Sequence, residues 1–415
     1  MEYNENYIYI YSGYRKAFYN LLIIYFIKYA ILFISNLAIL SSLNIFNESN
    51  INKYYLEKSK IKGINYLNRC LNYLNKTQIT SNFNFFSSKI YKFTEKPKIT
   101  VIIPVYNCQK SIELSLTSIL NQKMKEFEII LINDNSNDNS LKIINKIKKD
   151  DERIKIINNH KNMGTLYSRC IGVLKAKGKY ILNLDNDDLF LDNNVFMTIY
   201  NIADRDKYDI VEFKSLTIPN YHPKFGEIKE FFFNFHTNNL ILHQPELGIF
   251  PISRNNNYRI NDFLIWAKCI KTKLYQLSVN TLGKKRYSIY ICWNEDISMI
   301  FIIFNLANSF IFVNKYGILH LLSKITSSFT LPFEHKIFTE FYLLDIILDF
   351  EKRNGKYKKF VVLKAYNLFN KIKKHKLSNV NKKYLRKILQ KIFDCKYINQ
   401  NDKIQIKKKY SKFIK

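Results

Sequence analysis

Glycine, proline and cysteine are scarce in this sequence, which contains 10, 7 and 6 of them among 415 residues. So little glycine and proline excludes a collagen-like chain and a Gly-rich linker chain. The cysteines stand apart with no Cys-x-x-Cys pair, so neither a zinc knuckle nor a redox dithiol is indicated. Acidic residues are also few, 34 against 65 Lys and Arg, which gives a net charge of +31. A hydrophobic content of 47% nevertheless excludes a disordered polyelectrolyte.

The excess of basic residues would attract polyanions such as nucleic acid or an anionic membrane surface. Lys, Asn, Ile, Tyr and Phe are frequent along the whole chain, including its apolar segments, which favours a general compositional bias over a polyanion site. No Arg-rich run interleaved with aromatic residues occurs. We therefore predict no specific binding of nucleic acid.

Residues 17–46 form the longest apolar stretch, with Lys28 as its one charge. A helix of about 20 apolar residues can span a bilayer, so we predict a transmembrane anchor here, after a short N-terminal segment (1–16) and before a polar stem (47–97). A buried or amphipathic helix is the alternative. The prediction is a single-pass membrane protein, in an endomembrane such as the Golgi or ER if the source is eukaryotic. Flanking lysines and two glycosylation sequons disagree about the side of the membrane.

From Lys98 onward, short β-branched runs alternate with helical patterns. The predicted strands are 99–103, 127–132, 154–157 and 180–184, and the predicted helices between them are 109–121, 140–150 and 165–175. This alternation indicates an α/β domain with a mixed, mostly parallel sheet flanked by helices. A helix near 296–306 and a strand near 310–316 complete a domain over residues 98–325. Residues 335–415 have helical periodicity with Lys-rich faces and are predicted to form a helical C-terminal extension.

Polar clusters follow three of the predicted strands, at residues 104–107, 133–138 and 185–188. Ligands of an open parallel sheet bind outside the carboxyl ends of its strands, so these clusters are expected at one edge. Four aspartates gather there: Asp134, Asp185, Asp187 and Asp188. Because unpaired carboxylates repel one another, either a cation lies among them or some are protonated. A hard divalent ion that also binds substrate phosphates satisfies this arrangement, and solvated turns or helix caps are the alternatives.

Two common nucleotide-binding motifs are missing. The dinucleotide fingerprint G-x-G-x-x-G does not follow the first strand, and the phosphate loop G-x-x-x-x-G-K-[ST] does not occur. A Rossmann oxidoreductase and a P-loop NTPase are therefore disfavoured.

Four ordered motifs resemble those of glycosyltransferase family 2. They are Ile102-Ile103-Pro104-Val105-Tyr106-Asn107, Ile132-Asn133-Asp134-Asn135-Ser136, Asn162-Met163-Gly164-Thr165 with Arg169 and Gly172, and Gly178-Lys179-Tyr180-Ile181 leading into Asp185-Asn186-Asp187-Asp188. The resemblance is close from residue 98 to 215 and looser to 325. It implies a GT-A fold, a nucleotide-sugar donor, a Mn²⁺ or Mg²⁺ ion and transfer with inversion at the anomeric carbon.

The same resemblance implies roles for single residues. Pro104, Tyr106 and Asn107 would line the nucleoside pocket, and Asp134 would accept a hydrogen bond from the base. Arg169 would bind either the pyrophosphate or the acidic loop. Asp185 would contact the donor's ribose or sugar. The metal ligands would be Asp187, with Asp188 and His320, although a lone histidine is more often structural. This chain has Ser168-Arg169-Cys170 where the family often has Ala-Arg-Asn. The contact that the Asn side-chain amide would make is therefore in doubt, whereas the arginine is present.

Inverting transfer needs a base that takes the proton of the acceptor hydroxyl. The family places it in an acidic pair at the start of a helix, and Trp293-Asn294-Glu295-Asp296 is similar. We assign Asp296 as the base and Glu295 as its neighbour and a candidate acceptor contact. The alternative is that both are simply acids in the first turn of a helix, where the helix dipole stabilises negative charge.

The sequence thus predicts a membrane-tethered, metal-dependent inverting glycosyltransferase. The expected donor is a UDP-sugar, and the expected acceptor is a hydroxyl of a glycan, glycoprotein or lipid-linked molecule. The family's processive synthases carry a Q-x-x-R-W motif that is missing here, which favours one sugar per encounter. Two alternatives remain: a catalytically silent GT-A-like membrane-associated binding protein, and a nucleotidyltransferase.

Overall fold

The computed structural model describes residues 96–191, 193–219, 241–243, 264–322, 331–354, 358–373, 375 and 377–414. The predicted anchor (17–46) and nearly all of the predicted stem lie outside these residues. Among the helices in these ranges, none combines the length and the apolar character that crossing a membrane requires.

Within the described chain, nine strands form one sheet. They are β1 (Ile99–Val105), β2 (Phe127–Asn133), β3 (Ile154–Asn158), β4 (Tyr180–Asn183), β5 (Leu189–Phe190), β6 (Ile210–Pro219), β7 (Ile241–His243), β8 (Lys268–Lys271) and β9 (Ser309–Leu322). The strand order is β3-β2-β1-β4-β8-β6-β9-β5, and β7 pairs with β9. The first four strands pair in parallel, and antiparallel pairs begin where β4 meets β8. The predicted mixed, helix-flanked sheet is confirmed.

The described helices lie on both faces of this sheet. They are α1 (Ile112–Leu120), α2 (Ser140–Asp150), α3 (Thr165–Lys175), α4 (Val195–Arg205), α5 (Thr272–Leu282), α6 (Lys284–Tyr287), α7 (Glu295–Leu306), α8 (Phe333–Asn354), α9 (Lys358–Ile372), α10 (Asn379–Asp394) and α11 (Gln400–Ile414). Strand β1 shows why both layers are needed, since all seven of its residues are buried. Ile99 and Val101 belong to one apolar cluster and Ile102 to the other, as expected for side chains that alternate between two covered faces.

The C-terminal helices complete the core on one face of the sheet. Leu344 of α8 and Leu389 of α10 belong to the same apolar cluster as Val173 of α3 and Phe301 of α7. Buried Asp345 of α8 accepts a hydrogen bond from Lys387, at 3.2 Å, and another from Lys391. Part of the lysine excess in these helices therefore neutralises acids inside the helical layer.

Gly172 lets α3 approach the sheet closely. A Cβ atom there would lie 2.6 Å from Ile102 Cγ2 and 2.9 Å from Ile132 Cδ1. Because both contacts are tighter than atoms tolerate, Gly172→Ala is expected to lower the free energy of unfolding by about 1–3 kcal/mol, measured by urea denaturation. The matched control is Lys175→Ala at an exposed position of the same helix, expected to change stability by less than about 0.5 kcal/mol. A Gly172→Ala protein as stable as wild type would contradict the close packing.

Candidate functional site

The carboxyl ends of β1, β2 and β4 converge at one edge of the sheet. Pairing is parallel among these strands, so the loops that follow them leave the sheet together. The backbone N–H of Asp134 donates to the Val105 carbonyl at 2.8 Å. The side-chain amide of Asn186 donates to the Pro104 carbonyl at 2.9 Å. The structure therefore brings together the three polar clusters that follow these strands.

Asp134 is buried and organises a neighbouring turn. Its Oδ1 accepts the backbone N–H of Met163 at 2.8 Å, and its Oδ2 accepts that of Gly164, also at 2.8 Å. Gly164 has φ +88°, a conformation that favours glycine, and it directly precedes α3. Asp134 thus fixes the start of α3, and its contact with a nucleobase stays a prediction.

The loop after β1 presents one ring to solvent. Tyr106 is 42% exposed, whereas the carbonyl of buried Pro104 binds the loop after β4. Asn107 has φ +47°, and its side-chain oxygen accepts the backbone N–H of Asn137 at 2.8 Å. Of the three residues predicted to line the nucleoside pocket, Tyr106 has an exposed side chain, and Pro104 and Asn107 hold the loops beside it.

Arg169 binds three carboxylates at the centre of this edge. Its side chain, on α3, is 5% exposed. Nη1 donates to Glu295 Oε1 at 2.7 Å and also to Asp296 Oδ1, and Nη2 donates to Asp185 Oδ1. Burial alone would lower the pKa of Arg169, but Asp296, Asp185 and Glu295 outweigh it and raise the pKa. One permanently charged guanidinium therefore joins α3, the loop after β4 and the first turn of α7.

The acidic pair of α7 is asymmetric. Burial and the neighbouring Asp296 raise the pKa of Glu295 to about 8, although Arg169 acts in the opposite direction. Burial also raises the pKa of Asp296, which is opposed by Arg169 and by the backbone N–H of Ile265. That N–H donates to Asp296 Oδ2 at 3.2 Å, while Arg169 holds Oδ1. Asp296 thus has a hydrogen-bond donor on each of its carboxylate oxygens, and such donors favour its charged form.

Asp187, Asp188 and His320 lie together near Asp185. Asp188 is fully buried, and both of its carboxylate oxygens lie 3.1 Å from His320 Nδ1. Burial lowers the pKa of His320, but Asp188 outweighs it and raises the pKa to about 9. The imidazole also stacks on Trp266, with ring centroids 4.8 Å apart. Burial, Asp188 and Asp185 raise the pKa of half-buried Asp187 to about 7.

These side chains fit a divalent ion that substrate oxygens help to bind. The carboxylates of Asp185 and Asp188 repel that of Asp187, and a bound cation would relieve this repulsion. Among the described residues no three His, Cys, Asp or Glu side chains already form a metal-binding group. Mg²⁺ commonly takes only one or two protein carboxylates and completes its shell with phosphate oxygens and water. Asp188 and His320 bind each other here, so their role as ligands stays a prediction.

Comparison with known proteins covers the part of the chain that carries Asp134, Arg169 and Asp185, whereas Glu295, Asp296 and His320 lie beyond the matched residues. The family model "Glycosyl transferase family 2" matches residues 100–247. The chain contains a glycosyl transferase family 2 domain. An uncharacterized glycosyltransferase of Methanocaldococcus jannaschii, MJ1057, is 33% identical over 199 residues, which cover 42% of this chain and 66% of that protein. The cholesterol galactosyltransferase of Borreliella burgdorferi is 31% identical over 235 residues, which cover 53% of this chain and 59% of that protein.

The fold of the family 2 domain has solved counterparts. The crystal structure of S. aureus TarS 1-349 is 18% identical and has a TM-score of 0.52, with 76% of this chain and 88% of that chain covered. This likeness shows the shared architecture and no more. The chain spans between 20% and 66% of the length of the first curated relatives that it matches.

The sequence analysis did not predict a buried ion pair that lies close to Asp296. Lys268 of β8 and Glu212 of β6 are neighbours in the sheet, with Nζ and Oε2 3.1 Å apart and both side chains at most 1% exposed. Lys268 Nζ also donates to the Leu264 carbonyl at 2.8 Å. The next residue, Ile265, donates its N–H to Asp296. The pair thus fixes the turn that orients Asp296. Its signal in the sequence was only one acid among apolar residues of β6 and one lysine at the first position of β8.

Removing Lys268 should destabilise the family 2 domain through Glu212. Lys268→Met leaves the carboxylate buried without its lysine, so we expect the free energy of unfolding to fall by about 3–5 kcal/mol. The double variant Lys268→Met/Glu212→Leu removes both charges and should recover most of that loss. Urea denaturation of both variants is the measurement. A double variant no more stable than the single one would contradict the pairing.

Proposed function

We propose that this chain is an inverting glycosyltransferase that moves a sugar from a nucleotide-sugar to a hydroxyl group of an acceptor. The observation that carries the proposal is that Arg169 binds Asp185 and the acidic pair Glu295 and Asp296 at the edge where the parallel strands end. Ligands of such sheets bind at this edge. A structure of TarS 1-349 in complex with UDP, from a protein of the same fold, supports UDP as the nucleotide.

Asp296 would act as the catalytic base. It takes the proton of the acceptor hydroxyl while the hydroxyl oxygen attacks the anomeric carbon from the side opposite the diphosphate. The bond between that carbon and the diphosphate oxygen breaks, and its electron pair leaves with the nucleoside diphosphate. Arg169 and the Ile265 N–H hold the Asp296 carboxylate in one orientation. Direct displacement inverts the configuration of the sugar.

The remaining assignments extend this proposal. Asp185 would contact the donor's ribose or sugar, and Asp187, with Asp188 and His320 beside it, would hold Mn²⁺ or Mg²⁺. The bound ion would supply Lewis-acid stabilisation of the departing diphosphate. A glycan, glycoprotein or lipid-linked hydroxyl is the proposed acceptor class. Residues 17–46 are the proposed membrane anchor, which makes the protein single-pass.

Release of nucleoside diphosphate tests the proposed function. The full chain is incubated with a panel of nucleotide-sugars, Mn²⁺ or Mg²⁺ and water as the default acceptor. We expect wild type to release UDP from at least one UDP-sugar, and Asp296→Asn to release it only at the background rate. The control is Leu277→Ala, at a position that is 51% exposed on α5 and expected to behave as wild type.

The two alternatives give different products. A catalytically silent binding protein would bind UDP and release none from any donor, and a nucleotidyltransferase would release pyrophosphate. Either outcome would overturn the proposal.

A further inference from the structure

A second exposed tyrosine lies beside the proposed nucleotide site. Tyr290 is 44% exposed, close to the 42% of Tyr106. Bases commonly stack on exposed aromatic side chains of the proteins that bind them. Tyr290 comes from the segment just before α7, far along the chain from the loop after β1 that carries Tyr106.

Contacts around Asp134 bring together the chain segments that carry the two tyrosines. Tyr106 follows Val105, whose carbonyl accepts the N–H of Asp134 at 2.8 Å. Tyr290 precedes Ile291, and a Cβ atom on Gly164 would lie only 2.7 Å from the Ile291 carbonyl oxygen. Gly164 in turn donates its N–H to Asp134 Oδ2. Each tyrosine is therefore one residue away from a segment that contacts Asp134 or its bonded turn.

The charges that act on Tyr290 agree with this placement. Burial raises the pKa of Tyr290 first, followed by the hydrogen bond and charge of Cys292, and then by the charges of Tyr106 and Asp134. The phenol of Tyr290 is thus within electrostatic reach of both residues.

The first turn of α8 holds the Tyr290 ring in place. The ring packs edge-on against His335, with centroids 5.5 Å apart. His335 Nε2 also lies 3.9 Å from the Cys292 sulfur, two residues beyond Tyr290. A ring restrained in this way loses little conformational freedom when a ligand stacks on it.

We infer that Tyr290 is a donor-binding residue that stacks on the nucleobase, with Tyr106 as the second ring and the Asp134 carboxylate at the edge of the base. The inference rests on the proposed function, because it assigns a contact to the same nucleotide. Stacking between a base and an aromatic side chain strengthens binding by about tenfold or more for each ring. The C-terminal helices would then support donor binding through His335.

Titration with UDP in the presence of Mn²⁺ tests this role. The full chain is compared as wild type, Tyr290→Phe and Tyr290→Leu, since Phe keeps the ring and Leu removes it at a similar size. We expect Tyr290→Leu to raise the Kd of UDP by about tenfold and Tyr290→Phe to change it by less than about twofold. In steady-state assays the KM for the nucleotide-sugar should rise in the Leu variant while kcat stays the same. Thermal unfolding of each variant shows that the fold is retained.

The possible failures are distinct. The stacking role would be overturned if both variants lost affinity for UDP equally, or if Tyr290→Leu lost none. In either case, binding of UDP by the wild-type protein would leave the proposed function standing. A fall in kcat without a rise in KM would point to a structural role of Tyr290 and would also overturn the inference. A wild-type protein that binds no nucleotide of any base would overturn the proposed function together with it.

Discussion

Asp296→Asn is expected to lower the rate of sugar transfer by about 10³-fold while it leaves the Kd of UDP nearly unchanged. The amide has the size of the carboxylate and can still accept the Ile265 N–H, which is 3.2 Å from Oδ2 in the wild-type protein. It cannot take the proton of the acceptor hydroxyl at neutral pH. The measurement is the single-turnover rate of UDP release, together with a UDP titration of the same variant.

Glu295→Gln is the matched control for that result. Burial and Asp296 raise the pKa of Glu295 to about 8, which favours its protonated form, and glutamine resembles that form. We therefore expect Glu295→Gln to lose about tenfold or less in rate. If Glu295→Gln were the more damaging change, the assignment of the base within the pair would be reversed. If Asp296→Asn kept most of its activity, no base would act at this position.

Arg169→Met should cause a large loss of both stability and activity. It leaves three carboxylates without their shared cation, two of them in the largely buried pair Glu295 and Asp296. Breaking a buried ion pair in this way lowers the free energy of unfolding by about 3–5 kcal/mol. Transfer activity should disappear as well, because Asp296 loses the donor to its Oδ1. Urea denaturation and UDP release are the two measurements.

The pH dependence of this variant distinguishes the charge effect from a packing effect. Without Arg169 the folded-state pKa values of Glu295 and Asp296, already raised by burial, rise further. These two groups therefore destabilise the folded state increasingly as the pH rises above their unfolded values near 4. The stability difference from wild type should therefore be larger at pH 8 than at pH 5. Arg169→Lys keeps one charge but not the planar fork that reaches several carboxylates, and an intermediate loss is expected. A difference that does not change with pH would contradict the electrostatic role of Arg169.

The parallel half of the sheet was predictable because both of its faces are covered. Strands β1 and β2 appear in the sequence as continuous apolar runs, and helices α2 and α3 have the predicted bounds, 140–150 and 165–175. The other half was less predictable. Strand β9 (Ser309–Leu322) extends well past the predicted 310–316, because its pairing with β6 continues through register shifts near Lys214.

The site was predictable only as far as its motifs reach. The resemblance left two partners open for Arg169, the pyrophosphate or the acidic loop, and the structure pairs it with Asp185 of that loop. Its contact with the acidic pair of α7 depends on how α3 packs against α7, which no local pattern specifies. The same holds for the contact of His335 with Tyr290, because it joins two segments that only the folded C-terminal helices bring together.

Binding of Mn²⁺ followed by electron paramagnetic resonance tests the proposed mechanism most directly. Wild type, Asp187→Ala and the control Asp206→Ala, at an exposed acid after α4, are titrated with Mn²⁺ with and without UDP. The mechanism predicts that wild type and Asp206→Ala remove free Mn²⁺ signal beyond what UDP alone removes, and that Asp187→Ala does not. The mechanism would be contradicted if wild type bound UDP equally well in EDTA and retained no Mn²⁺. It would also be contradicted if Asp187→Ala retained as much Mn²⁺ as wild type.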